Sequence, residues 1–340
     1  MSEQPIYILA IESSCDDTAA AVLQNGKMLS NIVARQDVHE QYGGVVPELA
    51  SRAHQQNIVP VIDVALKKAG VEKSQLSAIA FTQGPGLMGS LLVGSSFAKS
   101  LAIALDVPLI AVNHMQAHIL AHFIDEEGFD KPEFPFLAMT ISGGHTQIVK
   151  VNNFFDMEVI GETTDDAVGE AFDKSAKILG LPYPGGPLVD KYAKEGNPKA
   201  FAFTKPKVPG LNFSFSGLKT QILYFVQKNV SENPDFIRDN MNDICASIQY
   251  TIINILIEKL KLAVKETGIK QVAIGGGVSA NSGIRNTLKE AEKKHGWKTF
   301  IPKFEYTTDN AAMIGIVGYQ KYLQQMFNDA AVASKARIEL

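Results

Sequence analysis

Apolar runs broken by short polar or glycine-rich segments recur along the chain, and their periods separate strands from helices. Ile6 to Ile11 is apolar, Glu12-Ser13-Ser14-Cys15-Asp16-Asp17-Thr18 is polar, and Ala19 to Leu23 is apolar again, which predicts a strand, a turn and a second strand. The same plan returns at Phe136 to Ile141, Ser142-Gly143-Gly144-His145-Thr146 and Gln147 to Val151. A second pair of segments also corresponds. Ala78 to Phe81 runs into Gly84-Pro85-Gly86-Leu87-Met88-Gly89-Ser90, and Gln271 to Ile274 runs into Gly275-Gly276-Gly277-Val278-Ser279-Ala280-Asn281. Both read as strands entering glycine-rich turns that open helices. Helical spacing of apolar residues marks Glu48 to Lys68, and Ser90 to Leu105 is a strongly apolar helix of small residues.

The repeat unit is about half the chain, so two α/β domains of similar topology are expected. At the level of fold this resembles the actin-like ATPase and sugar-kinase superfamily: two duplicated actin-like (ASKHA, ribonuclease-H-like) domains with a central nucleotide cleft. The charged stretch Asp125 to Pro135, closed by Pro132 and Pro135, fits a connection between halves. The expected organisation is residues 1–125 as the N-terminal domain, 126–135 as connection, 136–328 as the C-terminal domain and 329–340 as a tail. A helical insertion is expected around 197–269, opening with a proline-, lysine- and phenylalanine-rich stretch from Asn197 to Gly217.

Composition narrows the function. At 340 residues the chain has room for two cores, and 46% hydrophobic with 20% charged residues is an ordinary globular balance. A formal net charge of −4 argues against coating nucleic acid by bulk electrostatics, so any RNA contact is local or shared. Cys15 and Cys245 form no CxxC pair, which points to a reducing compartment. The first residues lack the basic-then-apolar pattern of a signal peptide, and no run approaches the roughly 18 consecutive apolar residues of a membrane span. A cytoplasmic location without membrane contact is expected.

Five of the seven histidines lie between His39 and His122, and two of them form His114-Met115-Gln116-Ala117-His118. Four residues apart on a helix, the imidazoles share a face, about 6 Å apart at Cβ. That spacing suits one metal ion and equally a plain helix-surface pair. A hydrolytic HExxH site needs glutamate where Met115 stands, so metalloprotease chemistry is disfavoured. Asp309, ahead of a small-residue helix, fits an N-cap or a third ligand. With both histidines it would make a two-histidine, one-carboxylate site, which suits iron or zinc and leaves positions open for substrate.

Glycines at Ser142-Gly143-Gly144-His145-Thr146 and Gly275-Gly276-Gly277 allow backbone amides to approach phosphate, and their occurrence at equivalent points of two repeats raises them above ordinary turn glycines. There is no GxxxxGK[ST] and no complete GxGxxG. Carboxylates gather at Glu12, Asp16 and Asp17, at Asp165 and Asp166, and at Glu170 and Asp173. Asp173 is singled out as an acceptor for ribose hydroxyls, and Pro184-Gly185-Gly186-Pro187 as a rigid turn that closes over the same ligand.

Ile11 to Thr18, Lys99 to Ile119, Ser142 to Thr146, Ala167 to Lys174, Tyr183 to Pro187 and Gly275 to Asn281 together closely resemble the TsaD family, the tRNA N6-adenosine threonylcarbamoyltransferases once called glycoproteases. The match runs in matching motif order from about residue 6 to about residue 320. The resemblance implies transfer of threonylcarbamoyl from threonylcarbamoyl-AMP to N6 of the adenosine beside the anticodon in tRNAs reading codons that begin with A. It implies one divalent ion, iron or zinc, on His114, His118 and Asp309. Substrate contacts are implied at Thr140, Ile141, Ser142, Gly143, Gly144, Asp173, Gly186, Asp190 and Asn281. The implied partners are tRNA, a TsaB-like pseudo-enzyme paralogue and a TsaE-like P-loop ATPase. Gln116-Ala117 stands where many relatives have Glu-Gly, and Asp17 where many have glutamate. Asp16 or Asp17 is the expected proton acceptor. Two rival readings stay open: an ATP-dependent kinase or ATPase of the same fold, in which the histidine pair has no task, and a non-catalytic nucleotide-binding scaffold.

Overall fold

A computed structural model of the chain describes residues 4–340. It divides into two compact units, one formed by Met1–Lys131 with Lys303–Leu340 and the other by Pro132–Pro302.

The first unit opens with β1 (Tyr7–Glu12), β2 (Thr18–Gln24) and β3 (Lys27–Ala34), an antiparallel meander. Helix α1 (Pro47–Ala69) then leads to β4 (Ala78–Gly84), α2 (Met88–Leu105), β5 (Leu109–Asn113) and the short α3 (His114–Leu120). Both β4 and β5 run parallel to β1, giving a sheet ordered β3-β2-β1-β4-β5. Side-chain alternation decides which helix covers which face. Leu9, Ile11, Ile79 and Phe81 join Ile58, Ile62, Ala65, Ala98 and Ala102 of α1 and α2 in one core. Helix α2 has the length and composition of a membrane span, with a third of it buried. It packs on α1 and β4.

The second unit repeats the plan. Strands β6 (Phe136–Ile141), β7 (Thr146–Asn153) and β8 (Asp156–Glu162) form an antiparallel meander. Helices α4 (Val168–Ile178), α5 (Gly185–Ala193), α6 (Ser216–Glu232) and α7 (Phe236–Thr267) come next, then β9 (Gln271–Gly275), α8 (Ser282–His295) and β10 (Lys298–Phe300). The sheet order β10-β9-β6-β7-β8 matches the first sheet strand for strand, with β9 parallel to β6 as β4 is to β1. The segment 197–269 contributes an irregular stretch and then α6 and α7. Phe213, Phe215, Leu218, Ile222, Ile248, Ile252 and Leu256 from it are buried in this unit's core.

The chain then returns to the first unit. Helix α9 (Ala311–Leu323) lies on the sheet face opposite α1, against β1, β2 and β4. Its glycines permit the close approach, since a Cβ at Gly315 would lie 2.2 Å from Leu23 Cδ1 and one at Gly318 2.6 Å from Ala80 Cβ. Sequence reading placed 136–328 in one C-terminal domain, whereas residues from Lys303 onward pack with the first unit. The cause is tertiary: α9 supplies the second apolar cover that the first sheet requires, and nothing local marks the crossing.

Candidate metal centre and glycine turns

His114 and His118 sit on α3, whose start is fixed by Asn113: its Oδ1 accepts from the amides of Met115 (2.9 Å) and Gln116 (3.2 Å). Four residues apart, the rings meet edge to face with centroids 4.6 Å apart, and the two Nε2 atoms are separated by 3.1 Å. Asp309 Oδ1 lies 3.3 Å from each Nε2. Capping of α9 falls instead to Asn310, whose Oδ1 accepts from Met313 N at 3.1 Å, and Asp309 is thereby free to face the histidines.

Behind His114 stands Glu12, wholly buried at the end of β1. One of its oxygens accepts from Ser14 N, and the other from Thr82 Oγ1 and from His114 Nδ1, the last at 3.1 Å. A carboxylate on Nδ1 holds that proton there and leaves the Nε2 lone pair for a cation. Burial pushes the Glu12 carboxyl up, but the His114 charge and hydrogen bond outweigh it and hold it below its ordinary value. Asp309 shows the same balance, with burial opposed and overcome by His114 and His118. Burial lowers His114, yet Glu12 and Asp309 on either side raise it well above the ordinary imidazole value, whereas burial prevails at His118 and lowers it.

The donor set fits a divalent metal. Three ligand atoms from His114, His118 and Asp309 lie within 4.8 Å of one another, all from the first unit. Among the described residues, His118 Nδ1 is buried without a hydrogen-bond partner. Two imidazoles and one carboxylate suit iron or zinc and leave coordination positions for substrate.

The β1–β2 tip carrying Asp16 and Asp17 is strapped from α1 and α2. His54, fully buried on α1, takes up Thr18 Oγ1 on Nδ1 (2.8 Å) and Cys15 O on Nε2 (3.0 Å). Ser90 Oγ adds a second donor to Cys15 O at 2.8 Å. Burial lowers the His54 pKa and keeps the ring neutral, so it is a structural histidine. His39 is likewise satisfied, by Gln36 and the Val46 amide. Burial, then the neighbouring Asp16 charge, pushes Asp17 up to about 7.

The second unit holds the remaining candidates. Gly143 and Gly144 turn between β6 and β7, closed by Ser142 N donating to His145 O at 2.9 Å. A Cβ at Gly143, Gly144 or Gly277 would meet nothing within 4 Å, so the fold does not require glycine there. Gly276 is different: φ is +88° and a Cβ would lie 2.6 Å from Ile141 O. Thr140 Oγ1 and Ser279 Oγ are buried without hydrogen-bond partners among the described residues. Asp173 Oδ1 accepts from Gly185 N (2.8 Å) and Gly186 N (3.0 Å), so Pro184-Gly185-Gly186-Pro187 is the start of α5 rather than a free turn. Asp190 accepts from Ser282 N and Oγ, and Asn281 caps α8 through Ile284 N while donating to Gln249 Oε1 at 2.7 Å. Asp165 secures the start of α6 through Ser214, Phe215 and Ser216, and Asp166 and Glu170 pair with Lys174. Of the carboxylates grouped from sequence, those three serve local structure.

Sequence reasoning gave Glu12 no task beyond membership of an acidic group. The signal was present: a carboxylate closes an otherwise apolar strand, where only a buried partner makes its burial tolerable.

Residues 27–316 match the family described as TsaD, tRNA N6-adenosine threonylcarbamoyltransferase. A protein of that name from Christiangramia forsetii is 76% identical over 337 residues, spanning 99% of both chains. One from Cytophaga hutchinsonii is 58% identical over 342 residues, spanning 100% of this chain and 99% of its own. Solved structures are similar at the level of fold. Full-length HypF in its phosphate- and nucleotide-bound form aligns with a TM-score of 0.60 at 14% identity, over 95% of this chain and 48% of that one. Component A of the Acidaminococcus fermentans (R)-2-hydroxyglutaryl-CoA dehydratase aligns at 0.52 and 17%, over 94% and 99%. The duplicated sheets are those of the actin-like fold.

Proposed function

The chain belongs to the TsaD family of tRNA N6-adenosine threonylcarbamoyltransferases, and on that premise we propose which of its residues perform the transfer. It moves the threonylcarbamoyl group from threonylcarbamoyl-AMP to N6 of the adenosine beside the anticodon in tRNAs reading codons that begin with A, releasing AMP. The names carried by its relatives do not favour the kinase or scaffold readings.

The amine attacks the carbamoyl carbon and a C–N bond forms. The bond from that carbon to the phosphate oxygen breaks, AMP leaves with the electron pair, and the amine proton passes to a carboxylate. Such a transfer depends on positioning and charge stabilisation, and needs no covalent enzyme intermediate. We assign the proton to Asp17, whose pKa near 7 suits a base at neutral pH, with Asp16 beside it. His114, His118 and Asp309 hold one divalent ion, iron or zinc, which when bound supplies Lewis-acid charge to the donor. Glu12 orients His114 for that task.

Thr140, Ile141, Ser142, Gly143 and Gly144 receive the nucleotide part of the donor. The space beside Gly143 and Gly144 and the unpartnered Thr140 hydroxyl support this. Asp173, Gly186, Asp190 and Asn281 complete the binding set; Asp173 and Asp190 already accept backbone amides and so fix the starts of α5 and α8. Besides tRNA, a TsaB-like paralogue and a TsaE-like P-loop ATPase are the proposed partners. Leu92 and Ile103, 50% and 69% exposed on α2, offer the former an apolar face. The proposed location is the cytoplasm.

The observation that carries the assignment is the convergence of Asp309 Oδ1 with the two Nε2 atoms of α3, backed by Glu12. Reconstitution with threonine, bicarbonate, ATP, tRNA, the adenylate-forming enzyme and both partners, with nucleoside analysis as the readout, is the test. Threonylcarbamoyladenosine is expected, and its absence with every component supplied overturns the proposal.

A further inference from the structure

After α9 the last residues run over the first unit's own sheet as a strap. Asn328 N donates to Leu109 O at 2.8 Å, and Asn328 Oδ1 accepts from Ala111 N at 2.8 Å, which anchors the segment to β5. Val332 packs against the first unit's core. Gln83 Nε2 donates to Ala333 O (3.0 Å), Lys335 N to Gln83 O (2.9 Å) and Gly86 N to Ala336 O (3.2 Å), so the strap crosses the end of β4. Space for it is written into β4: a Cβ at Gly84 would lie 1.9 Å from Lys335 O. The strap then reaches the end of β5, where Asn113 Nδ2 donates to Glu339 O at 3.0 Å.

That last contact joins the strap to the metal site. The Asn113 amide is held at both ends: its oxygen caps Met115 and Gln116 of α3, and its nitrogen is tied to Glu339. Only seven residues long, α3 depends on its cap for register, and it carries both histidine ligands. We propose that Ala333–Leu340 is a positioning element for the metal centre, fixing the Asn113 side chain and through it the placement of His114 and His118. Its Gly86 contact uses an amide in the glycine turn that opens α2, so in this unit the turn is occupied by the protein's own carbonyl. The proposal rests on the reading of His114, His118 and Asp309 as metal ligands.

The test compares the full chain with two variants, one ending at Val332 and one carrying Asn113→Ser. Serine keeps a capping oxygen but lacks the side-chain amide nitrogen that donates to Glu339 O. Zinc affinity is read by competition with a chelator, and exchange of the Met115 and Gln116 amides by hydrogen–deuterium exchange. The expected result is zinc affinity lowered about tenfold in both variants, in the range of outer-shell changes at metal sites. Faster exchange across α3 and an unchanged main melting transition should accompany it. Zinc affinity within twofold of the full chain, or unchanged α3 exchange in the truncated protein, overturns the strap. A full chain that binds no zinc or ferrous iron overturns the metal reading separately, and the exchange measurement then still decides whether the strap orders α3.

Discussion

Replacing Glu12 by glutamine keeps size and shape while removing one charge, and the hydrogen bonds around the carboxylate fix the cost. Glu12 accepts three of them, from Ser14 N, Thr82 Oγ1 and His114 Nδ1, with no exposure to water. A glutamine has one acceptor oxygen. If that oxygen stays on Ser14, the amide NH2 faces His114 Nδ1, and the ring must offer its lone pair there and carry its proton on Nε2. Nε2 is the atom 3.3 Å from Asp309 and the one proposed as ligand. If the oxygen turns to His114, two donors meet at Ser14. Either arrangement costs the ligand its tautomer or leaves a buried donor unpaired, each worth about 1–3 kcal/mol. Loss of metal affinity is therefore expected at about 10–100-fold, or about 1.4–2.7 kcal/mol. A chelator-competition titration with zinc measures it, with His118→Ala as the reference for a lost ligand. Affinity within twofold of wild type for Glu12→Gln would refute the tautomer argument.

Asp17→Asn should abolish most transfer yet stabilise the fold at alkaline pH. With a folded pKa of about 7 against 3.8, Asp17 binds its proton more tightly in the folded state, so its contribution is present at low pH and lost as pH rises through about 7. Removing the charge should raise stability at pH 8 by a few kcal/mol at most, about 1.4 per pKa unit, with no gain at pH 3; denaturant melts at both values decide this. In wild type, single-turnover transfer should fall about tenfold per pH unit below about 6 as Asp17 becomes protonated, and a flat profile would remove it as the base. Gly276→Ala should destabilise by about 1–3 kcal/mol, because both its φ and Ile141 O oppose a methyl group. Gly144→Ala should change stability by less than about 0.5 kcal/mol while weakening donor binding, since only a ligand competes for that space; paired melts and donor titrations separate the two glycines.

Much of the fold was legible because its signals are local. The alternation of Ile8, Leu9, Ala10 and Ile11 between two covered faces, and the recurrence of strand, polar tip and strand at Phe136, expose the duplication. Partly polar β3 and β8 escaped, since Lys27–Ala34 and Asp156–Glu162 lack a continuous apolar run. The candidate trio was legible in part: i,i+4 spacing puts His114 and His118 on one face, but Asp309 reaches them only because the chain recrosses to the first unit. Local sequence also left Asp309 and Asn310 competing for the cap, and only the fold assigns it to Asn310. The place of Glu12 at the end of an apolar strand signals a buried partner but not which one, and Asn113 carries no such signal, because their partners lie 102 and 226 residues away.

Single-turnover transfer from preformed threonylcarbamoyl-AMP to tRNA, with partner proteins present, tests the central claim most directly when wild type and Asp309→Ala are compared. Wild type is predicted to convert the adenosine beside the anticodon and release one AMP per modified tRNA, while Asp309→Ala, equally folded by its melting profile, is predicted to be slower by at least about 100-fold, about 2.7 kcal/mol. Equal rates for the two proteins, at equal metal-free stability, would contradict a metal centre at His114, His118 and Asp309.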